Sequence, residues 1–300
     1  MIFSLNSGQT LTRAIQARGR TRAVLSHLHY QVQSLRLRKL IDGRLKFPAP
    51  GKDAPIISLT SWTPRKEALP ISLLTLLDQV KRPGKIFVWL ASDDASMLPT
   101  ATRDAFVREG VEFLATEDYG PHKKWWPMIE HKVANEFVTA DDDIFYPRTW
   151  LSSLISENND TTLVCHRAHQ IRLTASGVPS PYSDWQHNVV TCGVPSHQLF
   201  PTSGAGTIMH RRFVPKDFVD PDLFMACSPR ADDIWLKLAY VSSNTPCMKS
   251  RYFFPCLEVP GSSDDGLFIE NVDGHYNDVQ LAASMKALEM PAEILRSLAP

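Results

Sequence analysis

Three consecutive aspartates, Asp141, Asp142 and Asp143, directly follow the apolar run of residues 136–140. Adjacent carboxylates repel one another and Asp is a poor strand former, so the triplet brings no benefit to folding. Mg²⁺ and Mn²⁺ take oxygen ligands and leave other positions open for phosphate oxygens and water. The triplet therefore predicts Mn²⁺ or Mg²⁺ bound together with a diphosphate. A solvated acidic turn without a ligand is the alternative that the triplet alone leaves open.

A basic segment and a strand-end segment could contribute to the same site. Residues 122–124 are one His and two Lys just before a predicted helix, where cations are unfavourable unless an anion binds there. Lys123 is the predicted partner of a phosphate group. The segment "TSWTPR", residues 60–65, offers hydroxyl groups and a guanidinium at the end of a predicted strand. Three of its residues are candidate nucleotide contacts: Thr60, Trp62 and Arg65.

The second half of the chain adds a glycine-rich segment and a second acidic pair. Gly204 and Gly206 flank one alanine, so the backbone there could approach a ligand closely. Asp232 and Asp233 begin a predicted helix, and a carboxylate at such a place could act as a general base. Acidic residues in a first turn are also ordinary helix capping, so this segment alone leaves both interpretations open.

Strands and helices must alternate to bring these residues together. Short apolar runs rich in β-branched and aromatic residues alternate four times with segments of helical spacing, which is typical of a parallel sheet with helices on both faces. Ligands of such sheets bind beyond the carboxyl ends of the strands. The predicted strands are residues 55–62, 84–91, 111–116 and 136–143, and the predicted helices are residues 68–80, 98–110, 123–135 and 146–157.

The N-terminal region has a different composition. Residues 11–41 show apolar residues at helical spacing, with Gly19 as a predicted break, and residues 46–55 are a linker rich in Pro. Residues 1–50 contain nine Lys/Arg and one Asp. A basic amphipathic helix can lie on an anionic membrane surface, or it can pack on the domain with its basic face in water. Peripheral membrane contact through residues 1–45 is the first of these two possibilities, and a helix packed on the domain is the second.

Composition and charge exclude several classes of protein. The chain has 300 residues, 43% of them hydrophobic, which fits a globular protein with a sizeable core. Residues 51–300 contain 23 Lys/Arg and 31 Asp/Glu, so nucleic acid is not an expected partner. The five cysteines lack metal or redox spacing, and no run of 18 apolar residues occurs. These features predict a cytoplasmic protein with reduced thiols.

The ordered set of motifs resembles the GT-A glycosyltransferases, and most of all the bacterial family-2-like enzymes that build lipopolysaccharide or capsule sugars. The set is an αβ alternation, the Asp triplet after the fourth strand, a glycine-rich segment about sixty residues later and an acidic pair about thirty residues after that. The resemblance covers roughly residues 55–280. It implies an α/β, GT-A-like Rossmann-type sheet, mixed but mainly parallel, flanked by helices, with an N-terminal helical extension.

The resemblance also implies a division of the chain. Residues 51–300 would form one domain, with a nucleotide-binding half at 55–150 and an acceptor-binding half at 151–285. Residues 1–50 would be the helical extension and linker. In the acceptor half, aromatic side chains would be either sugar-stacking surfaces or core, and the second is the commoner role. They are Trp185, Phe200 and Trp235.

Roles for individual residues follow from the resemblance. Asp141 and Asp142 would contact the nucleotide sugar, and Asp143 would bind the metal, with His275 as a second ligand. Asp233 would be the general base, with Asp232 as its alternative. Two segments depart from the usual family-2 sequences. The first strand end differs where those enzymes contact the nucleotide, and the Asp-Asp pair differs where they carry the general base.

The implied activity is inverting transfer of a sugar from a nucleoside diphosphate, with uridine diphosphate favoured, to a glycan or lipid-linked acceptor. A carboxylate would take the proton of the acceptor hydroxyl while the metal and Lys123 stabilise the leaving phosphate. Two other functions use the same residues. One is a metal-dependent phosphohydrolase or nucleotidyltransferase, and the other is a non-catalytic sugar-binding protein on the same fold.

Overall fold

The structure of the protein is a computed structural model that describes residues 7–262, 275–291 and 294, with side chains from residue 21 onward. The strands in these residues are β1 (Ile56–Thr60), β2 (Lys85–Ala91), β3 (Val111–Thr116), β4 (Glu136–Thr139), β5 (Ile144–Phe145), β6 (Leu163–Cys165), β7 (Ala168–Gln170), β8 (Leu199–Pro201), β9 (Thr207–His210), β10 (Cys247–Lys249) and β11 (Leu257–Glu258). The helices are α1 (Ser7–Ile41), α2 (Leu69–Leu77), α3 (Thr100–Val107), α4 (Trp126–Glu130), α5 (Trp150–Ser156), α6 (Pro221–Cys227), α7 (Asp232–Ser242) and α8 (Tyr276–Ala287).

A seven-stranded sheet forms the centre of the fold, in the order β10-β6-β9-β4-β1-β2-β3. Strand β1 is parallel to β2 and to β4, β2 is parallel to β3, and β6 is parallel to β10. Strand β9 runs antiparallel to both of its neighbours, β4 and β6. The predicted fold class, a mixed and mainly parallel sheet flanked by helices with an N-terminal helical extension, is confirmed.

Alternate residues of β2 show how the sheet is covered on both faces. Ile86, Val88 and Leu90 belong to the core under α2, α3 and α5. Phe87 and Trp89 belong to the core under α4, α6 and α7. All five side chains are buried, as the continuous apolar run of a central parallel strand requires.

The N-terminal helix is continuous from Ser7 to Ile41, so the predicted break at Gly19 does not occur. Its C-terminal part contacts α2, α3 and β11. Leu40 is buried in the sheet's core, and Leu37 and Ile41 pack against that core. Among the described helices, none has both the length and the apolar character to cross a bilayer. The division at residue 50 stays a prediction.

The predicted third helix is shorter than expected. A 3₁₀ turn spans Gly120–Lys124, and α4 begins only at Trp126. Pro127 explains the interruption, because it has no N–H to donate to the Lys123 carbonyl, as a helix continuous through residues 123–127 would require. Strand β4 likewise ends at Thr139, so the aspartate triplet lies in the turn between β4 and β5 rather than within a strand.

Candidate active site

The loops after β1, β2 and β4 meet at one edge of the sheet, as predicted from the strand ends. The backbone N–H and the hydroxyl of Thr63 donate to Asp94 Oδ1 at 2.8 and 2.6 Å. Ser61 Oγ donates to Asp142 Oδ2 at 2.5 Å, and Arg65 Nη1 donates to Asp143 Oδ2 at 2.5 Å. Two members of the triplet are therefore bound by the loop that follows β1.

The third member of the triplet, Asp141, is bound by a buried lysine. Lys124 Nζ lies 2.7 Å from Asp141 Oδ1 and 3.6 Å from Asp232 Oδ2. The backbone carbonyl of Lys124 accepts a hydrogen bond from Ser58 Oγ at 2.6 Å, which fixes the turn before α4 against β1. One ammonium group thus joins the triplet to the second acidic pair, which is 91 residues further along the chain.

Ser203 holds both members of the second acidic pair. Its backbone N–H donates to Asp233 Oδ1 at 2.8 Å, and its hydroxyl donates to Asp232 Oδ2 at 3.0 Å. The N-cap residue of α7 is Ala231, which makes no side-chain capping bond. Both carboxylates stand in the first turn of α7 and also face Ser203 and Lys124, so the capping interpretation stays open beside the catalytic one.

Gly204 makes room for the carboxylate of Asp141. A Cβ atom at residue 204 would lie 1.5 Å from Asp141 Oδ2 and 2.1 Å from its Cγ. Tyr146 fixes the same contact, because its hydroxyl accepts from the Asp141 N–H and donates to the Gly204 carbonyl, both at 2.7 Å. The close backbone approach expected at this glycine is therefore made to a side chain of the site itself.

The charges of this cluster shift the pKa values of its members in opposite directions. Burial opposes ionisation of both Asp141 and Lys124, but their contact outweighs it, so the pKa of Asp141 is lowered and that of Lys124 is raised. Burial and the neighbouring Asp143 raise the pKa of Asp142 to about 7. Burial and Asp141 raise the pKa of Asp143 to about 6. The protein's own cations therefore do not fully neutralise the triplet.

The second acidic pair behaves in the same way. Burial, followed by repulsion from Asp232, raises the pKa of Asp233 to about 7. Burial also raises the pKa of Asp232, although the Lys124 ammonium acts against that rise. A general base works best when its pKa is near the working pH, so Asp233 has a suitable value for that role.

Several predicted site residues lie elsewhere or are occupied. Lys123 Nζ binds Asp118 Oδ1 at 2.5 Å, so it is Lys124, not Lys123, that contacts the triplet. The hydroxyl of Thr60 donates to the Trp89 carbonyl at 2.8 Å, whereas the side chain of Trp62 is exposed at the same edge. His122, adjacent to these lysines, is buried, and its Nε2–H donates to the Ser228 carbonyl at 2.7 Å.

The other predicted metal ligand, His275, lies at the start of α8. Its side chain is 69% exposed, and its Nδ1 is 3.8 Å from Asp278 Oδ2. Its backbone has a φ of 57°, a left-handed conformation at the helix N-cap. Residues 271–274, the first half of the turn in which His275 was predicted, lie outside the described residues. The role of His275 as a ligand stays a prediction.

The aromatic residues of the acceptor half belong to the core. All three are buried, and Trp235 Nε1 donates to the Phe218 carbonyl at 2.9 Å from inside α7. Trp185 and Phe200 belong to a small core cluster with Tyr182, whereas Trp235 packs on the main sheet. Of the two roles left open by the sequence for Trp185, Phe200 and Trp235, the structure shows the commoner one, the core, since none offers a free ring face.

Sequence patterns did not identify three polar residues of the site. Lys124 and Lys123 are adjacent, and only the turn decides which one faces the triplet. Ser203 acts through its backbone N–H as well as its hydroxyl. Arg167, just after β6, donates through Nε to Thr202 Oγ1 at 2.7 Å and through Nη1 to Cys256 Sγ at 3.4 Å. The polar segment of residues 166–172 was the available signal for Arg167.

The donor set fits a metal ion shared with a ligand better than one held by protein alone. Within the described residues, no group of three or more His, Cys, Asp or Glu side chains could hold a metal. Asp143 keeps Oδ1 free of the Arg65 contact, which uses Oδ2. Mg²⁺ is commonly bound by one or two carboxylates plus substrate phosphates, so the residues present suffice for a metal of that kind.

Comparisons with known proteins show resemblance in overall chain path. No family model matches the chain, and no curated protein matches it. The structure of an inositol-1-phosphate CTP transferase from T. maritima is similar with a TM-score of 0.42 and 9% identity, covering 79% of this chain and 98% of that one. The mannosyltransferase PcManGT from Pyrobaculum calidifontis, in complex with GDP-Man and Mn²⁺, has a TM-score of 0.41 and 11% identity, with coverages of 94% and 86%.

A third similar structure is that of S. aureus TarS, with a TM-score of 0.41 and 15% identity, covering 81% of this chain and 71% of that one. At these identities and TM-scores the likenesses concern the path of the chain. The function has to be argued from the residues of the site.

Proposed function

We propose that the protein is an inverting, metal-dependent glycosyltransferase that moves a sugar from a nucleoside diphosphate to a glycan or glycolipid acceptor. One observation carries the proposal: Lys124 contacts both Asp141 and Asp232, and Ser203 binds Asp233 beside them. A donor-side acid and an acceptor-side acid are thus within one cluster. Folding gains nothing from collecting these carboxylates, because each of them has to be taken out of water.

The donor would bind along the edge formed by the loops after β1 and β4. Asp141 and Asp142 would contact the nucleotide sugar, with Thr60, Trp62 and Arg65 beside them at the end of β1 and in the loop that follows it. The exposed ring of Trp62 offers an apolar face, and the guanidinium of Arg65 offers donors to phosphate oxygens. Lys124 takes the place proposed earlier for Lys123 as the buried cation of the site. A uridine nucleotide is the favoured donor.

Asp143 would hold Mn²⁺ or Mg²⁺, with His275 as a candidate second ligand. When bound, the ion neutralises charge on the diphosphate, which makes the diphosphate a better leaving group. Arg65 orients Asp143 through its contact at 2.5 Å. That orientation leaves the other carboxylate oxygen of Asp143 available to the ion.

Asp233 would act as the general base. As the acceptor oxygen forms a bond with the anomeric carbon, the bond from that carbon to the diphosphate breaks, and its electron pair leaves with the diphosphate. The hydroxyl proton passes to Asp233, which the Ser203 N–H holds in position at 2.8 Å. Attack from the face opposite the leaving group inverts the anomeric carbon. Asp232 is the alternative base.

The acceptor would be a glycan or a lipid-linked sugar of the kind used in lipopolysaccharide or capsule synthesis. Peripheral membrane contact through residues 1–45 belongs to this proposal, because a lipid-linked acceptor requires access to a membrane surface.

The test compares donor binding and turnover in two variants. Asp233→Asn should bind a nucleotide sugar as the wild type does, while turnover falls by about 10²–10⁴-fold. Asp143→Ala should lose Mn²⁺-dependent binding of the nucleotide sugar. Mn²⁺-dependent binding that survives in Asp143→Ala would remove that residue from the metal site. Near-normal turnover of Asp233→Asn would move the base to Asp232 or elsewhere.

Product analysis separates the proposal from its two competitors. Release of inorganic phosphate or pyrophosphate without sugar transfer would identify a phosphohydrolase or a nucleotidyltransferase. Sugar binding without turnover, unaffected by Asp233→Asn, would identify a non-catalytic sugar-binding protein.

A further inference from the structure

Helix α1 has two faces of unexpected composition. The face that packs on the domain includes two buried polar residues, Ser26 and Gln33, as well as Leu40. The outward face carries the outer apolar stripe, which we define as Val24, Leu25, Leu28, Val32 and Leu35. Each of these side chains is between 49% and 60% exposed.

The helical repeat places this stripe directly opposite the packed face. Leu28, Val32 and Leu35 each follow a packed residue by two positions, and two positions correspond to about 200° of rotation in an α-helix. The packed residues are Ser26, Tyr30 and Gln33. Among the residues that the structure describes, the stripe therefore faces away from the domain to which α1 is attached.

Charge indicates what covers the stripe. The sequence of α1 has seven Lys/Arg and no Asp or Glu. Lys39 is exposed and continues the stripe four residues after Leu35, and Arg38 is exposed beside it. A second copy of this helix would bring like charges together without an acidic partner on either helix. An anionic lipid surface instead accepts an apolar face and attracts its basic border.

The inner face of the same helix contacts the segment that adjoins the candidate active site. Arg22 Nη2 donates to the carbonyls of Pro255 and Cys256 at 3.1 and 2.8 Å, and Ser26 Oγ donates to the Glu258 carbonyl at 2.5 Å. The next residue, Val259, donates its N–H to the Asp143 carbonyl at 2.7 Å. Helix α1 is thus connected to the proposed metal ligand through two successive sets of hydrogen bonds.

We propose that α1 docks the protein on an anionic lipid surface through the outer apolar stripe and its basic border, and so holds the candidate site next to that surface. This inference rests on the proposed membrane contact and names the surface and the lipid class. It does not depend on the transferase chemistry, because lipid binding needs neither donor nor metal.

Vesicle co-sedimentation tests the proposal with the full-length chain. The probes are phosphatidylcholine vesicles with and without phosphatidylglycerol. The wild type should bind the anionic vesicles about tenfold or more tightly than the neutral ones. Leu28→Glu with Val32→Glu should weaken binding to anionic vesicles by about tenfold or more, because two apolar contacts are replaced by charges that the surface repels.

Val190→Glu is the matched control, because Val190 is 85% exposed but lies outside α1. It should bind vesicles as the wild type does. Circular dichroism of the double variant verifies that the fold is retained, and Lys39→Glu gives a second variant that changes the basic border alone. Lys39→Glu should also weaken binding to anionic vesicles while leaving binding to neutral vesicles unchanged.

Three results would overturn the inference. The first is equal binding to neutral and anionic vesicles, or binding to neither. The second is unchanged vesicle binding in the double variant. The third is a wild-type dimer in light scattering that the double variant converts to a monomer, since the stripe would then be a contact between two copies. Sugar transfer to a water-soluble acceptor, measured in parallel, shows whether the proposed function stands independently of these results.

Discussion

Replacing Lys124 by methionine tests the cluster at its centre. The change keeps an unbranched apolar stem of four atoms and removes the ammonium that lies 2.7 Å from Asp141 and 3.6 Å from Asp232. Removing one partner of a buried ion pair costs about 3–5 kcal/mol, because the remaining charge is left without compensation. Asp141 is 35% exposed and retains some hydration, so we take the lower end, about 3 kcal/mol.

A loss of that size should lower the melting temperature by roughly 6–12 °C, given about 2–4 °C for each kcal/mol in a domain of this size. Urea unfolding of Lys124→Met, Asp141→Asn and the double variant forms a thermodynamic cycle. Asp141→Asn has lost one carboxylate charge, so the second change should cost less in that background, with a coupling energy of about 1–3 kcal/mol. Losses that add to within about 0.5 kcal/mol would refute the contact as a stabilising ion pair.

Three further predictions concern the same site. Gly204→Ala should weaken binding of the nucleotide sugar at least about tenfold, because the new Cβ would lie 1.5 Å from Asp141 Oδ2. The control Gly51→Ala should bind normally, since no atom lies within 4 Å of its new Cβ. Calorimetry measures both variants, and normal binding by Gly204→Ala would show that the position of Asp141 is unimportant. With saturating metal, kcat/KM should fall about tenfold for each pH unit below about 7. The reason is that the pKa of Asp233 is raised to about 7 and a base acts only when unprotonated. A flat pH profile of kcat/KM would exclude Asp233 as the base. Because the pKa of Asp233 is raised in the folded state, the free energy of unfolding falls as pH rises through about 7. Asp233→Asn should therefore stabilise the protein more at about pH 8 than at about pH 5. Urea unfolding at the two pH values measures this difference, and equal stabilisation at both would contradict the raised pKa.

The sequence predicted which loops form the site because that prediction depends on strand direction alone. The carboxyl ends of β1, β2 and β4 had to meet once these strands were parallel, and the triplet had to follow β4. The second acidic pair was found from its place at the start of a helix. That its carboxylates also face Ser203 depends on tertiary folding, because Ser203 lies about thirty residues earlier in the chain.

The sequence could not predict which of two adjacent lysines enters the cluster. Lys123 and Lys124 have the same chemistry, and the 3₁₀ turn Gly120–Lys124 directs one to Asp118 and the other to Asp141. Gly204 was recognised as a point of close approach, but its neighbour is the carboxylate of the triplet. The aromatic residues of the acceptor half were ambiguous for another reason, since large rings serve in cores and, less often, in binding surfaces.

The central claim is that the acidic cluster binds a divalent cation together with a diphosphate. Isothermal titration of the protein with uridine, guanosine, adenosine, cytidine and thymidine diphosphates, each with and without Mn²⁺, tests it most directly. We expect at least one of these nucleotides to bind in the presence of Mn²⁺ and to bind at least about tenfold more weakly without the ion. Absence of binding for every nucleotide, or equal binding with and without Mn²⁺, would contradict the claim.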